Sequence, residues 1–315
     1  MGRVVVVGSF NVDHVWRCEA LPAPGATLAG AYTTGPGGKG FNQAMAARRA
    51  GADTVFVCAL GSDAGGQLAR ALANGDGIDL RDEASDAPTG TAGIFVDAQG
   101  RNSIVIGPGA NAALTVAHVE AQVKAIGGAG VLLAQLESPL PAIATALRLA
   151  REAGVRTVLN PAPANAPCEA ALLAVADVIT PNETEFAALI ARHTAMAIPA
   201  EAVATAGDDA LHVVCRTLHP AGTVVITLGA MGSFVSHGDA DRLGDDAAHY
   251  RVAAAPAHAV DTTGAGDAFN GALCASMAAR ADAAFAHHVG FASRYAARST
   301  EAEGAALSMP FLAAS

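Results

Sequence analysis

The sequence predicts an α/β protein built on a doubly wound, mostly parallel sheet flanked by helices, with a small β-sheet lid. Short apolar, β-branched runs alternate with Ala- and Leu-rich stretches of helical length, as in a sheet covered by helices on both faces. Hydrophobic residues make up 52% of the 315 residues and charged residues 15%, which excludes a disordered chain. Two segments break the alternation and are typical of separate β-structure.

The elements of the main sheet follow from these runs. We expect buried strands at residues 4–7, 54–60, 131–136, 157–160, 178–180 and 223–228. The intervening helical stretches are residues 43–50, 65–74, 140–153 and 183–191. In such sheets, ligands bind beyond the carboxyl ends of the strands.

The lid is predicted at residues 14–36 and 89–107. The first segment alternates polar and apolar residues, and the second is typical of a hairpin around Gln99 and Gly100. The α/β body would then comprise residues 1–13, 37–88 and 108–315. Residues 193–215 are Ala-rich and indistinct, and we expect a helix and a loop without function there.

Charge and cysteine usage exclude several partners. The net charge is −10 and no basic cluster is longer than two residues, so we expect no nucleic-acid partner. No stretch of 18 uncharged apolar residues occurs, so we expect no membrane partner. The five cysteines are far apart and form no CxxC pair. They predict reduced, buried thiols in a cytoplasmic protein.

A Gly-rich stretch, GPGGKGFNQA, occupies residues 35–44. It does not follow the first strand, which excludes a dinucleotide fingerprint, and Gly40 follows Lys39 where a P-loop needs Ser or Thr. What remains is a loop that opens a helix, with Lys39 and Asn42 as donors and glycines that allow a ligand to approach the backbone. A plain helix-capping turn is the alternative.

The segment DTTGAGDAFNGAL at residues 261–273 is the more specific motif. Gly264, Ala265 and Gly266 would expose backbone N–H groups at a helix N-terminus, which is an anion site by geometry and dipole. Asp267 then lies in the first helical turn. It is either a favourable first-turn carboxylate or a general base beside the site of developing phosphoryl charge.

Together and in this order, the two motifs resemble those of the ribokinase-like (PfkB-type) carbohydrate kinases, and the resemblance covers nearly the whole chain. Finer matches are NVDH (11–14), PAPGATL (22–28), LLAQLESPL (132–140), NPAPA (160–164), ITPNETE (179–185) and VITLGAMG (225–232). The resemblance implies transfer of the γ-phosphate of MgATP to a sugar hydroxyl, and the finer matches favour O5 of D-ribose.

The resemblance also implies roles for residues. Asp267 would be the base, with Gly264, Ala265 and Gly266 as the anion hole. The sugar would contact Asn11, Val12, Asp13, Gly38, Lys39, Gly40, Asn42, Glu137 and Asp267. Turn capping by Asn11 and Asp13, and a surface location for Glu137, are the alternatives.

The remaining implied roles concern the nucleotide and two cations. ATP would contact Asn182, Thr227, Leu228, Gly229, Ala230, Met231, Gly232, Gly266 and Ser293. At the Ser293 position relatives often carry Asn or His. Glu185 would hold Mg²⁺ through water, although Asn182 and Glu185 could simply begin a helix. K⁺ would be surrounded by Asp261, Thr263, Ser299, Ala302, Gly304 and Ser308.

Rival functions stay open. Another sugar or nucleoside kinase of the same family is one, and a nucleotide-binding regulator that has lost its chemistry is another. The intact glycines and Asp267 argue against the regulator. The exposed face of the lid predicts a homodimer formed through it, as in related kinases.

Overall fold

A computed structural model describes residues 2–312. The strands are β1 (Arg3–Val7), β2 (Asn11–Arg17), β3 (Ala31–Gly37), β4 (Asp53–Gly61), β5 (Asp79–Ser85), β6 (Gly90–Val96), β7 (Asn102–Gly107), β8 (Val131–Ala134), β9 (Arg156–Leu159), β10 (Val178–Ile179), β11 (Thr223–Thr227), β12 (Ser233–Ser236) and β13 (His249–Val252).

The helices are α1 (Lys39–Arg49), α2 (Ala64–Asp76), α3 (Val116–Ala121), α4 (Val123–Gly127), α5 (Leu140–Glu152), α6 (Ala170–Ala174), α7 (Glu183–His193), α8 (Ala200–Val203), α9 (Asp208–Leu218), α10 (Ala265–Ala279) and α11 (Phe285–Ser299). Among residues 2–312, none is long and apolar enough to cross a membrane. The indistinct segment 193–215 contains α8 and most of α9.

The main sheet has nine strands in the order β13-β12-β11-β10-β9-β8-β1-β4-β5. All its pairings are parallel except β11 with β12 and β12 with β13. Side chains of β1 alternate between two cores: Val4 and Val6 pack toward α1, α2, α10 and α11, whereas Val5 and Val7 pack toward α3 to α7 and α9. Burial on both faces explains the continuous apolar runs. The predicted doubly wound α/β class is confirmed.

A second, four-stranded sheet has the order β3-β2-β6-β7, and we call it the small sheet. Strand β2 pairs antiparallel with β3 and parallel with β6, and β6 forms a hairpin with β7. At the hairpin turn Gly100 has φ 76°. The sequence-based boundary at residue 14 differs from this arrangement, because residues 11–13 are the first residues of β2 rather than part of the body.

Candidate active site

The predicted residues converge where the carboxyl ends of the central strands face the start of α10. This helix begins after Gly264, whose φ of 76° is a left-handed conformation that favours glycine. The first N–H groups of a helix have no intrahelical acceptor. Ala265 N nevertheless donates to Thr262 O at 3.2 Å, which makes it a weaker anion donor than the exposed Gly266.

Asp267 is buried in the first turn of α10, with 7% of its surface exposed. Its Oδ2 accepts a hydrogen bond from Asn42 Nδ2 at 2.9 Å, and its Oδ1 accepts one from Gln43 Nε2 at 2.9 Å. Burial raises the pKa of this carboxyl; Lys39, Asn42 and Gln43 oppose that rise, and Glu137 adds to it. The side chain is thus a carboxylate with an elevated pKa held at a helix N-terminus.

The Gly-rich loop brings α1 against this carboxylate. Gly38 has φ 85°, and a Cβ there would lie 2.7 Å from Asn11 N, so the loop needs glycine to pass this close to β2. Glu137 Oε2 accepts hydrogen bonds from Lys39 N at 3.0 Å and from Ser9 Oγ at 2.6 Å. Glu137 is therefore part of the site rather than a surface charge.

Several charges meet around Lys39. Burial alone would lower the pKa of Lys39, but the carboxylates of Asp267, Glu137 and Glu185 outweigh it, so the pKa is raised and the ammonium keeps its charge. Burial, together with Glu137 and Asp267, raises the pKa of Asp13 from 3.8 to about 7. A lone cation among carboxylates is suited to a ligand rich in hydroxyl groups.

The elevated pKa of Asp13 predicts a pH-dependent stability. Between pH 3.8 and about 7, folded Asp13 keeps a proton that the unfolded chain has released, so this group reduces stability as pH rises through that window. Asp13→Asn should therefore raise the Tm of the ligand-free protein, and more at pH 8 than at pH 5. Thermal melts at both pH values measure this, and an equal gain at both would contradict the assignment.

Asn11 is fixed by a residue that the sequence analysis did not identify. Its Oδ1 accepts a hydrogen bond from Asn111 Nδ2 at 2.8 Å, and Asn111 also bonds both backbone polar atoms of Phe10 at 2.9 Å. These contacts use the Asn11 amide oxygen and leave its amide nitrogen available to donate to a ligand. Val12 does not reach the site with its side chain, which lies against Gly65 of α2.

The predicted nucleotide residues lie at the ends of β10 and β11. Asn182 and Thr227 form a bridge between these strand ends. Asn182 caps α7: its Oδ1 accepts from Glu185 N at 2.8 Å, and Glu185 Oε2 accepts from Asn182 N at 2.9 Å. The helix-start interpretation of this pair is therefore correct. It does not exclude a ligand role. Burial raises the pKa of Glu185, opposed by Asn182 and Lys39.

The other residues predicted to contact the nucleotide lie partly on the surface and partly in the core. Gly229, Ala230 and Met231 are exposed, whereas the Leu228 side chain is buried, with 2% exposure. Leu228 can therefore offer only its backbone to a ligand. Ser293 lies on α11, and its Oγ donates to Ala253 O at 3.4 Å.

Of the residues predicted to surround K⁺, Thr263 and Gly304 contact Asp261. Its Oδ1 accepts a hydrogen bond from Thr263 N at 2.9 Å, and its Oδ2 accepts one from Gly304 N at 3.0 Å. Ser299 and Ser308 are buried, and their hydroxyls donate to Ala296 O and Ala305 O, both at 2.8 Å, whereas Ala302 is exposed. Burial opposes ionisation of Asp261, but these hydrogen bonds and Arg17 lower its pKa, which keeps the carboxylate charged.

Two further observations concern possible alternative sites in the molecule. In the range 2–312, no group of three or more His, Cys, Asp and Glu side chains is placed to hold a metal ion. An open cavity of about 670 Å³ lies at the opposite, amino-terminal edge of the main sheet, beside Gly130, Arg156 and Asp241. Arg156 is already paired with Asp241 at 3.2 Å. Neither observation supplies a competing catalytic centre.

Buried amides beneath Asp267 were also missed by the sequence analysis. Gln43 donates to Asn160 Oδ1 at 3.0 Å as well as to Asp267, and its Oε1 accepts from Gln135 Nε2. Asn160 and Gln135 directly follow β9 and β8. A polar residue immediately after an apolar strand was the available signal in the sequence.

Comparisons with known proteins agree with this arrangement. A model of the pfkB family of carbohydrate kinases matches residues 1–312. The ribokinase of Haemophilus influenzae is 36% identical over 312 residues, which cover 98% of this chain and 95% of that protein. A structure of Arabidopsis thaliana ribokinase complexed with ribose and ATP has a TM-score of 0.82 and 30% identity, covering 98% of this chain and 96% of that one.

A longer relative matches through part of its length. The bifunctional ribokinase/ribose-5-phosphate isomerase A of Fructilactobacillus sanfranciscensis is 40% identical over 285 residues, which cover 88% of this chain and 49% of that protein. This chain therefore spans about half the length of that relative. The family predicted from the two Gly-rich motifs is confirmed: the chain belongs to the pfkB family of carbohydrate kinases.

Proposed function

We propose that the protein is a ribokinase, which transfers the γ-phosphate of ATP to O5 of D-ribose. The observation that supports this function best is Asp267, a buried carboxylate in the first turn of α10. It lies close to Lys39 and to Asp13 and Glu137, two residues predicted to bind the sugar. The resemblance to proteins that bind ribose and ATP supports the choice of both substrates.

In this proposal Asp267 accepts the proton of O5 as the bond from O5 to the γ-phosphorus forms. The bond from that phosphorus to the bridging oxygen breaks, and ADP leaves with its electron pair. Gly266 N–H and the dipole of α10 stabilise the charge on the transferring group. Lys39 adds a positive charge near the same carboxylate. The elevated pKa of Asp267 suits a proton acceptor at neutral pH.

Mg²⁺ fits this site as an ion held mainly by the nucleotide rather than by a full set of protein ligands. When bound, it would neutralise charge on the phosphates. Glu185 would hold it through water, because its Oε2 is engaged by Asn182 N at 2.9 Å and its Oε1 is left for a water molecule. Mg²⁺ commonly retains several waters, which suits a single nearby carboxylate.

We also propose that K⁺ binds beside Asp261 and stabilises the backbone of residues 262–266. Exchange of K⁺ for a bulky organic cation, at fixed ionic strength and saturating Mg²⁺, should then lower turnover roughly tenfold. That loss is smaller than the approximately 10²–10³-fold loss for outright removal of one oxyanion donor. Steady-state rates in the two buffers measure it, with Asp261→Asn as the control that should not respond. Equal rates for the parent would remove the cation site and leave Asp267 unaffected.

The small sheet is proposed to close over the sugar as a lid and to form a homodimer. Closure would exclude water that competes for the phosphoryl group. Its edge strand β7 exposes Ile104, Val105 and Ile106 at 50%, 66% and 46%, an apolar surface suited to a second copy of the chain.

The cysteines are all unpaired thiols, and we place the protein in the reducing cytoplasm.

The experiment that tests the function is a coupled assay of ADP release with purified protein and a panel of sugars. D-Ribose, 2-deoxyribose, fructose and adenosine are compared at equal concentration with saturating MgATP. The proposal expects the highest kcat/KM for ribose. A clear preference for adenosine or fructose would favour another kinase of the family, and no sugar-dependent ADP release would favour the inactive regulator.

A further inference from the structure

A row of buried polar side chains runs behind the candidate base. Gln43, Asn160, Thr180 and Asn270 are exposed by 0%, 6%, 1% and 1%, and we call them the polar belt. Gln43 Nε2 donates to Asp267 Oδ1 at 2.9 Å and to Asn160 Oδ1 at 3.0 Å.

The polar belt continues from Asn160 back to the same helix. Asn160 Nδ2 donates to Thr180 O at 2.9 Å, and Thr180 Oγ1 donates to Asn270 Oδ1 at 2.5 Å. Asn270 Nδ2 then donates to Gly266 O at 2.9 Å. One end of the belt thus bonds the Asp267 carboxylate, and the other bonds the carbonyl oxygen of Gly266, in the peptide that joins Gly266 to Asp267.

The belt joins elements that are far apart in sequence. Gln43 lies on α1, Asn160 follows β9, Thr180 follows β10, and Asn270 lies on α10 one turn after Gly266. The first turn of α10 is therefore tied to the rigid carboxyl ends of two strands. Its orientation does not depend on helix packing alone.

The direction of the belt is set by the carboxylate. An ionised Asp267 can only accept hydrogen bonds, so Gln43 must turn its nitrogen toward it. The Gln43 oxygen then faces Gln135 Nε2, from which it accepts a hydrogen bond. Asn160 must in turn offer its oxygen to Gln43 and its nitrogen to Thr180 O.

Such a network is costly to bury. Polar groups removed from water need complete pairing, and apolar side chains could fill the same volume without that requirement. Core stability therefore does not account for four polar side chains at these positions. Their shared feature is that both ends of the belt reach the first turn of α10.

We propose that the polar belt positions the Asp267 carboxylate relative to the Gly266 backbone, through the Gly266 carbonyl at the start of α10, and that Gln43 is the positioning residue for the base. The proposal rests on the proposed function in taking Asp267 as the base. The other groups that face Asp267 are Asn42 and Lys39 of α1, Glu137 after β8, Glu185 of α7 and Asp13 of β2.

Gln43→Met tests this, because Met has a similar length and no amide. We expect kcat to fall about 10- to 100-fold, as for loss of one hydrogen bond to a charged group, with little change in the KM for ribose. Loss of a donor to the charged form raises the pKa of Asp267. The acidic limb of the kcat profile should therefore move to higher pH, which a purely structural defect would not cause.

A readout besides activity separates this proposal from the proposed function. The ¹³C signal of the Asp267 carboxyl, assigned by its absence from Asp267→Asn, should titrate at higher pH in Gln43→Met than in the parent. If the parent did not phosphorylate ribose, the proposed function would fail and this titration would still test the polar belt. An unchanged titration together with an unchanged kcat profile would overturn the proposal.

Two further variants control for folding. Ser276→Ala removes a buried hydroxyl from the same helix, where it bonds His288 Nδ1 at 2.8 Å outside the belt; it should leave kcat and the pH profile unchanged. Thr180→Val removes one belt hydrogen bond with little change in shape. If Gln43→Met did not fold, Thr180→Val would decide: a lower kcat with unchanged ribose KM supports the belt, and an unchanged kcat overturns it.

Discussion

Asp267→Asn should fold normally and lose turnover by a factor of about 10²–10⁴, as expected when a general base is removed. Asparagine keeps the size of the side chain but cannot accept the hydroxyl proton. In the parent, Asn42 and Gln43 each donate to one carboxylate oxygen of Asp267 at 2.9 Å. In the variant, the asparagine oxygen can still accept a hydrogen bond from one of them. The loss should therefore appear in kcat, measured by ADP release, with a small change in Tm.

Asp209→Asn is the matched control, because Asp209 is also a carboxylate in the first turn of a helix, α9. It lies on an exposed surface and pairs with His249 at 3.1 Å. Its replacement should change the helix electrostatics and leave turnover within a few-fold of the parent. If Asp267→Asn behaved like this control, Asp267 would be a helix-start residue and not the base.

Asp13→Ala should raise the KM for ribose about 10- to 100-fold, as for a buried hydroxyl that loses its partner, and change the KM for ATP little. Asp13 lies on β2, close enough to Glu137 and Asp267 for their charges to raise its pKa. It therefore lies beside the residues predicted to bind the sugar and not beside those predicted to bind the nucleotide. Initial rates at varied ribose and varied ATP separate the two constants.

Thr33→Ala provides the control for Asp13→Ala within the same sheet. Thr33 lies on β3, is exposed, and pairs with Val15 further from the site. It should leave both KM values unchanged. An unchanged ribose KM in Asp13→Ala would mean that Asp13, a residue within β2, does not contact the sugar.

The main sheet could be predicted where strands are buried on both faces. The run Val4–Val7 is continuous because its alternate side chains enter two different cores. Strand β5 (Asp79–Ser85) was missed because it lies at the sheet edge and is largely polar. The antiparallel strands β12 and β13 are short and give no distinct pattern beside a parallel sheet.

The candidate site was predictable in its motifs and not in its supporting contacts. The two Gly-rich segments mark Lys39 and Asp267, but the contact of Asn42 with Asp267 spans 225 positions and exists only in the folded chain. Asn111 and Asn160 lie outside those motifs and acquire their roles by tertiary burial. Val12 and Leu228 lie beside site residues in sequence, yet strand and core geometry turn their side chains away.

The most direct test of the proposed reaction is the position of phosphate on the product, read by ³¹P NMR after incubation of the protein with D-ribose and MgATP. Transfer to O5 predicts a phosphorus signal split into a triplet by the two protons on C5, formed in step with ADP. A doublet would place the phosphate on an oxygen whose carbon carries one proton, such as O1, and not on O5. That doublet, or ADP without any phosphorylated sugar, would contradict the account of Asp267 as the base for O5.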